Sequence, residues 1–159
     1  MNGVLSWLEA TGPATFIRDG RWAYPLTESA HLIGLALMFG AIAVFDLRLL
    51  GFSRRVPVSG LAAQALPWAR RGFVLVALSG ALLFSANATQ VFDNTAFQVK
   101  LLLIGAAGLN IFVFHTGVFR DVKDWDTADR APAAARAAAA LSLAIWPAVI
   151  VCGRLIAYA

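Results

Sequence analysis

The sequence predicts an all-α integral membrane protein, a four-helix up-down bundle with a short interfacial helix at its N-terminus. Three observations point there. Hydrophobic residues fill 60% of the 159 positions and charged residues only 14%, with a mean hydropathy of +0.72, a balance for which the bilayer is the natural solvent. The apolar residues gather in four stretches, each of about 20 residues or more and so, at ~1.5 Å rise per residue, able to cross the ~30 Å hydrocarbon layer. Between them lie segments rich in Gly, Pro and charge, which is turn chemistry.

Residues 3–18 scatter Val4, Leu5, Trp7, Leu8, Phe16 and Ile17 among polar and helix-breaking residues. That is too little apolar length to span, so a segment lying in the interface is expected. The stretch has no basic n-region and is broken by Glu9, Gly12 and Pro13, so it is expected to stay in the mature chain rather than be cleaved as a signal peptide. Trp22 and Tyr24 sit where an aromatic belt anchors the next helix, and Pro25 suits a first helical turn. Span one is predicted at about 26–50, followed by the loop GFSRRVPVSG. Span two is predicted at about 68–89, with VFDNTAF as a short connection, and span three at about 97–119. The charged RDVKDWDTADR is a second loop, and span four runs at about 132–158, alanine-rich at first and with Pro147 expected to kink it. No internal repeat or second domain is visible.

Small residues recur at spacings that suit close helix packing: Ala77 and Ala81 around Gly80, Gly105 with Gly108, and Ala134 to Ala140. The loops after spans one and three, with their flanking turns, hold Arg48, Arg54, Arg55, Arg70, Arg71, Arg120, Lys123, Arg130 and Arg136. The other side holds Arg18, Arg21, Lys100 and Arg154. The positive-inside rule then predicts a multi-pass protein of the bacterial inner membrane with both termini periplasmic. Basic residues placed as orientation signals exclude a nucleic-acid partner. The single cysteine, Cys152, lies in an apolar run, so no disulfide framework exists. Walker, dinucleotide-binding, zinc-protease and nucleophile-elbow motifs are absent, which disfavours hydrolytic and phosphoryl-transfer chemistry.

Ionisable groups at membrane depth are costly and are functional candidates by default. Both histidines, His31 and His115, fall inside predicted spans. Imidazole in an apolar bundle is a common haem ligand, and Gly34, one turn from His31, is expected to clear space beside the ring. A haem b on His31, with His115 as a second candidate ligand, is the leading expectation, serving electron transfer to or from quinone or a redox partner. Spans one and three run in the same direction, so the two imidazoles stand roughly 20 Å apart in depth and cannot share one iron within one chain. Met38, on the same helix, is also out of reach. A haem at His31 would need an open position, a water, or His31 of a second protomer, and a homo-oligomer or larger membrane complex is expected on that ground.

By depth the polar residues form two layers. One holds Glu28, His31, Asn87, Gln90, Asn94 and Lys100; the other holds Asp46, Arg48, Arg70, Arg71 and His115. Within each, opposite charges are expected to neutralise one another. These layers equally suit a small transporter or channel-like protein that uses Glu28, His31, Asp46 and Arg48 as a route for a proton, metal ion or small solute. A third reading is an accessory subunit of a larger complex. Blander roles compete at each residue: a hydrogen bond from His31 to Glu28 or a neighbouring helix, pairing of His115 with Asp46, and Asn110 joining two helices. Trp7, Trp22, Trp68, Trp125 and Tyr158 fit interface anchors, while Trp146 lies deeper.

The run YPLTESAHLIGLALMFGAIAVFDLRLLG, then LPWARRGFVLVALSGALLF and NTAFQVKLLLIGAAGLNIFVFH, resembles a family of small four-helix bacterial inner-membrane proteins known as a domain of unknown function. More loosely, a span opening E-S-x-H-x-x-G is similar to the histidine-bearing helices of membrane b-type cytochromes and copper-resistance membrane domains. Those families pair histidines at matched depth, which this chain does not do within one protomer.

Overall fold

A computed structural model describes residues 2–158, and every element in it is helical. Two short helices, α1 (Asn2–Glu9) and α2 (Gly12–Asp19), precede the first long one, α3 (Ala23–Leu50). After a loop come α4 (Val58–Ala86), the short α5 (Ala88–Phe92) and α6 (Thr95–Thr116). A 3-10 turn (Val118–Asp121) leads into α7 (Val122–Trp125), and α8 (Ala133–Leu155) completes the chain. Four helices are long and apolar enough to cross a membrane, as composition predicts.

Local chemistry explains most boundaries. Gly51 ends α3 in the left-handed conformation (φ 106°), with its N–H donated to Arg48 O and that of Phe52 to Leu47 O, the bonding of a Schellman cap. Asn94 starts α6 by accepting from Ala96 N at 2.9 Å and Phe97 N at 3.3 Å. The start of α4 is different, at Val58 rather than near 68, because its cap comes from the far loop. Asp126 accepts from Ser59 N and Ser59 Oγ, both at 2.7 Å, and its backbone carbonyl accepts from Val58 N. These bonds, led by that from the Ser59 backbone, hold the Asp126 carboxyl below the usual carboxylate range.

The expected interfacial segment is a pair of helices. It lies across the break at Asn87 that separates α4 from α5. Glu9 Oε1 accepts from Thr89 N at 2.8 Å and Thr89 Oγ1 at 2.7 Å, which caps α5 and keeps the Glu9 carboxyl below its ordinary range. Arg18 donates to Glu9 O and Ala86 O across the same break. Ala14 and Ile17 are buried beneath α2, whereas Val4, Trp7 and Phe16 stay exposed, as expected of helices with one face in lipid.

The long helices pack in the order α4, α3, α8, α6, and no Cα of α4 comes within 8 Å of one of α6 among the described residues. The bundle is therefore open on that side, closed near one end by the stacked rings of Phe84 and Phe97 at 5.1 Å. The tightest seam is α3 on α4. A Cβ added at Gly72 would fall 2.7 Å from Met38 N and 2.9 Å from Gly34 O, and one at Gly34 would fall 2.9 Å from Val76 Cγ2. Small residues on one face of α4 (Ala62, Ala65, Ala69, Gly72, Ser79) and of α8 (Ala135, Ala139, Ser142) are buried, which lets backbones approach closely. The expected packing of Ala77, Ala81, Gly105 and Gly108 does not occur: the two alanines are exposed and neither glycine has an atom within 4 Å of an added Cβ. Periodicity shows that small residues share a face but not which face meets a neighbour.

Two apolar clusters fill the interior. One, toward the end carrying the 51–57 and 117–132 connections, joins Phe45, Leu49, Val58, Ala62, Phe114 and Ala135. The other, at mid-height, joins Met38, Ala107, Ile145, Trp146 and Val149.

Candidate functional site

A cavity of about 50 Å³ lies at the junction of α3, α6 and α8, with Leu66 of α4 on its border. Its walls hold Asp46, Asn110, Ser142, His115 and Trp146 among apolar neighbours. Asp46 stands four residues before the end of α3, ~6 Å from the helix terminus, yet its side chain is only 6% exposed and its Oδ2 has no hydrogen-bond partner among the described residues. The Ser142 hydroxyl faces the carboxylate from α8. Asn110 reaches from α6 to donate its Nδ2 to Ala138 O at 3.0 Å, so it joins two helices as expected and keeps its Oδ1 as the uncommitted end. An orphaned buried oxygen costs about 1–3 kcal/mol, and such groups in a native fold call for an explanation.

His115 borders this cavity but does not pair with Asp46. Its Nδ1 lies 2.9 Å from Ile111 O on its own helix; a carbonyl only accepts, so Nδ1 carries the proton. The ring packs against Phe114 and Phe119, each at 5.2 Å between centroids. The expected pairing fails although both residues border one cavity, because the Nδ1 proton of His115 goes to a carbonyl of its own helix.

The second histidine is far away. His31 stands fifteen residues before Asp46 on α3, or ~22 Å, with the mid-height apolar cluster between them. His31 Nδ1 lies 3.0 Å from Ser79 Oγ, whose own proton goes to Leu75 O at 2.6 Å, so the imidazole donates and Nε2 is left as the basic nitrogen. Gly80 gives the ring its space, an added Cβ there falling 3.1 Å from His31 Cε1. Gly34 does not have that role; it lets α4 approach α3. Glu28 is exposed and does not bond to His31. Lys100 is within electrostatic reach of His31 and lies beside Gly153, whose added Cβ would sit 3.3 Å from Nζ. Asn87 and Gln90 are exposed at the α4–α5 break.

The expected neutralisation within each layer is not found. Among the described residues the ion pair present is Arg18 with Asp19, at 3.4 Å on the surface. Arg48, 1% exposed, instead donates Nε to Val56 O at 2.6 Å and Nη2 to Arg54 O at 3.2 Å, tying the 51–57 loop to α3. No three or more His, Cys, Asp or Glu side chains converge among the described residues.

A family described as of unknown function, DUF6644, matches residues 15–159, which takes in all four long helices and the Asp46 cavity. The chain is a member of the DUF6644 family. No curated protein and no solved structure matches this DUF6644 chain, so the similarity to cytochromes and copper-resistance domains gains no support. Sequence reasoning named Asp46, Asn110 and His115 of this DUF6644 cavity but missed Ser142 and left Trp146 without a role. The signal was present: Ala135, Ala139, Ser142 and Trp146 recur at three- and four-residue steps, one helical face.

Proposed function

We propose that this chain is a small transport-type membrane protein that takes a proton, metal ion or small solute at Asp46. The observation that carries the reading is the buried, unpartnered Oδ2 at the edge of a cavity. Such a group is retained where an exchangeable occupant satisfies it. The short distance from Asp46 to the α3 terminus favours entry from the end that carries the 51–57 loop. That end bears Arg54, Arg55, Arg120, Lys123 and Arg130, which supports a cytoplasmic placement, an inner-membrane location and periplasmic termini. The open α4–α6 side supports a homo-oligomer or a larger membrane complex. Reconstitution into proteoliposomes tests the reading. Flux of protons, alkali ions or divalent metals is expected in the parent chain, lost in Asp46→Asn and kept in Glu28→Gln, whose carboxylate is exposed. Flux of none of these species, or flux unaffected by Asp46→Asn, refutes it.

A second reading, haem b ligation with electron transfer to a redox partner or quinone, is favoured by one observation. Both imidazoles hold a proton on Nδ1 and present Nε2, the orientation metal-ligating histidines adopt. The separation of His31 from the Asp46 cavity, which His115 borders, requires each iron to draw its second ligand from a water or another protomer. A reduced-minus-oxidised visible spectrum of protein expressed with haem supplied tests it: Soret and alpha bands lost in His31→Ala support the reading, and their absence in the parent chain ends it.

A further inference from the structure

The polar atoms around the Asp46 cavity come from three helices and differ in what each has left to offer. Asp46 Oδ2 is without a partner among the described residues. Asn110 has committed Nδ2 to Ala138 O, so its free end is an oxygen. Ser142 faces the carboxylate with a hydroxyl whose oxygen lone pairs remain available. Apart from the Nε2 of His115, the uncommitted ligand atoms are oxygens, a mainly hard set of the kind that holds hard cations. We infer that the occupant of this site is one small monovalent metal cation, of the sodium class, held by Asp46 Oδ2, Asn110 Oδ1 and Ser142 Oγ. The inference rests on the transport reading of Asp46 and names its substrate class.

Charge and space both select this class. Asp46 is the single carboxylate bordering the cavity, and His115, its Nδ1 committed to Ile111 O, is the other titratable group there. One carboxylate and one monovalent cation sum to zero, whereas a divalent ion leaves a net positive charge against Phe45, Phe114 and Trp146, which apolar surroundings penalise. Admitting one water takes roughly 10–15 Å³, so a cavity of about 50 Å³ accepts a cation with one or two retained waters but not a hydrated ion. Magnesium gives up its waters reluctantly and calcium seeks six to eight oxygens; this site meets neither demand. Soft metals would need thiolate or several imidazoles, and the lone Cys152 is not among the lining residues.

The test uses the purified full-length chain in detergent micelles at fixed pH and constant ionic strength, with choline chloride exchanged for sodium or potassium chloride. Binding of radiosodium and the thermal midpoint are read together. Saturable binding near one ion per chain is expected, with a midpoint that rises with sodium and less with potassium. Both effects are expected to vanish in Asp46→Asn. Ser142→Ala, a small change on a well-packed helix, keeps the carboxylate and is expected to weaken sodium roughly 10- to 100-fold, the usual cost of removing a metal-site partner. No saturable sodium in the parent chain, or equal binding by the parent and both variants, overturns the inference. If proton flux in proteoliposomes still depends on Asp46 in that case, the sodium assignment alone is wrong; if it does not, the transport reading falls with it.

Discussion

Substituting Gly72 by Ala tests whether the α3–α4 seam governs the fold. An added methyl would meet Met38 N at 2.7 Å and both Gly34 O and Met38 Cα at 2.9 Å. All three are backbone atoms and cannot rotate aside, so the helices must separate. Overpacking of this kind costs about 1–3 kcal/mol, and contacts with backbone place the cost toward the upper end. Against it stands the gain of ~0.8–1 kcal/mol for replacing glycine in a helix. The net loss should be ~2 kcal/mol, a factor of roughly 30 in the folding equilibrium. Gly105→Ala is the control, because nothing lies within 4 Å of its added Cβ; it keeps the propensity gain and loses nothing. Reversible unfolding in mixed micelles, followed by circular dichroism, gives both values. A Gly72→Ala chain as stable as Gly105→Ala would refute the claim that close approach at Gly34 and Gly72 holds the seam.

Three further outcomes follow from individual contacts. Arg48→Met should loosen the 51–57 loop by about 1.5–3 kcal/mol, the worth of hydrogen bonds to a charged donor, because Val56 O and Arg54 O lose that donor; faster amide exchange in 51–57 would show it, and unchanged exchange would count against it. Glu9 and Asp126 both have lowered carboxyl pKa values, so their caps contribute fully above the ordinary carboxylate range of about 4 and are lost as pH falls through the lowered folded values. Acid should therefore release the start of α5 and the start of α4 first, and Glu9→Gln should remove the pH dependence of exchange at Thr89 while leaving that at Ser59. Ser79→Ala should free the His31 proton to move between Nδ1 and Nε2, visible as a changed ring ¹⁵N shift pattern; an unchanged pattern would refute the tautomer assignment.

The spans were legible because they depend on composition over some twenty residues, a property that no tertiary contact alters. Boundaries set by near neighbours were legible too, as at Gly51 and Asn94. The start of α4 was not, since the residue that caps it, Asp126, lies in a loop read only as charged. Asp46 stood out because a carboxylate in a span is conspicuous, whereas Ser142, equally part of the cavity, looked like any serine among alanines. Depth along a helix follows from counting residues, but the direction a side chain faces around the axis does not. That difference accounts for the misplaced role of Gly34 and the exposed Gly105 and Gly108, whereas His115 reaches the Asp46 cavity but spends its Nδ1 proton on Ile111 O.

The two polar layers acquire different meanings once the apolar cluster of Met38, Ala107, Ile145, Trp146 and Val149 is placed between them. A continuous polar route through one chain would have to pass this cluster, and close packing gives water no place in it. His31 and Ser79 form a satisfied pair on their side of it, consistent with a structural role. Asp46 on the other side has its Oδ2 without a partner among the described residues and borders space. On the transport reading, an occupant reaching Asp46 from the loop end would meet a closed interior beyond, and passage to the opposite face would require the α3–α8 packing around Met38 and Trp146 to part. Trp146 borders the cavity and belongs to the seal at once, with Pro147 next to it removing one backbone donor from α8. The segment of α8 around these two residues is thus where occupancy at Asp46 and opening of the seal would be mechanically joined.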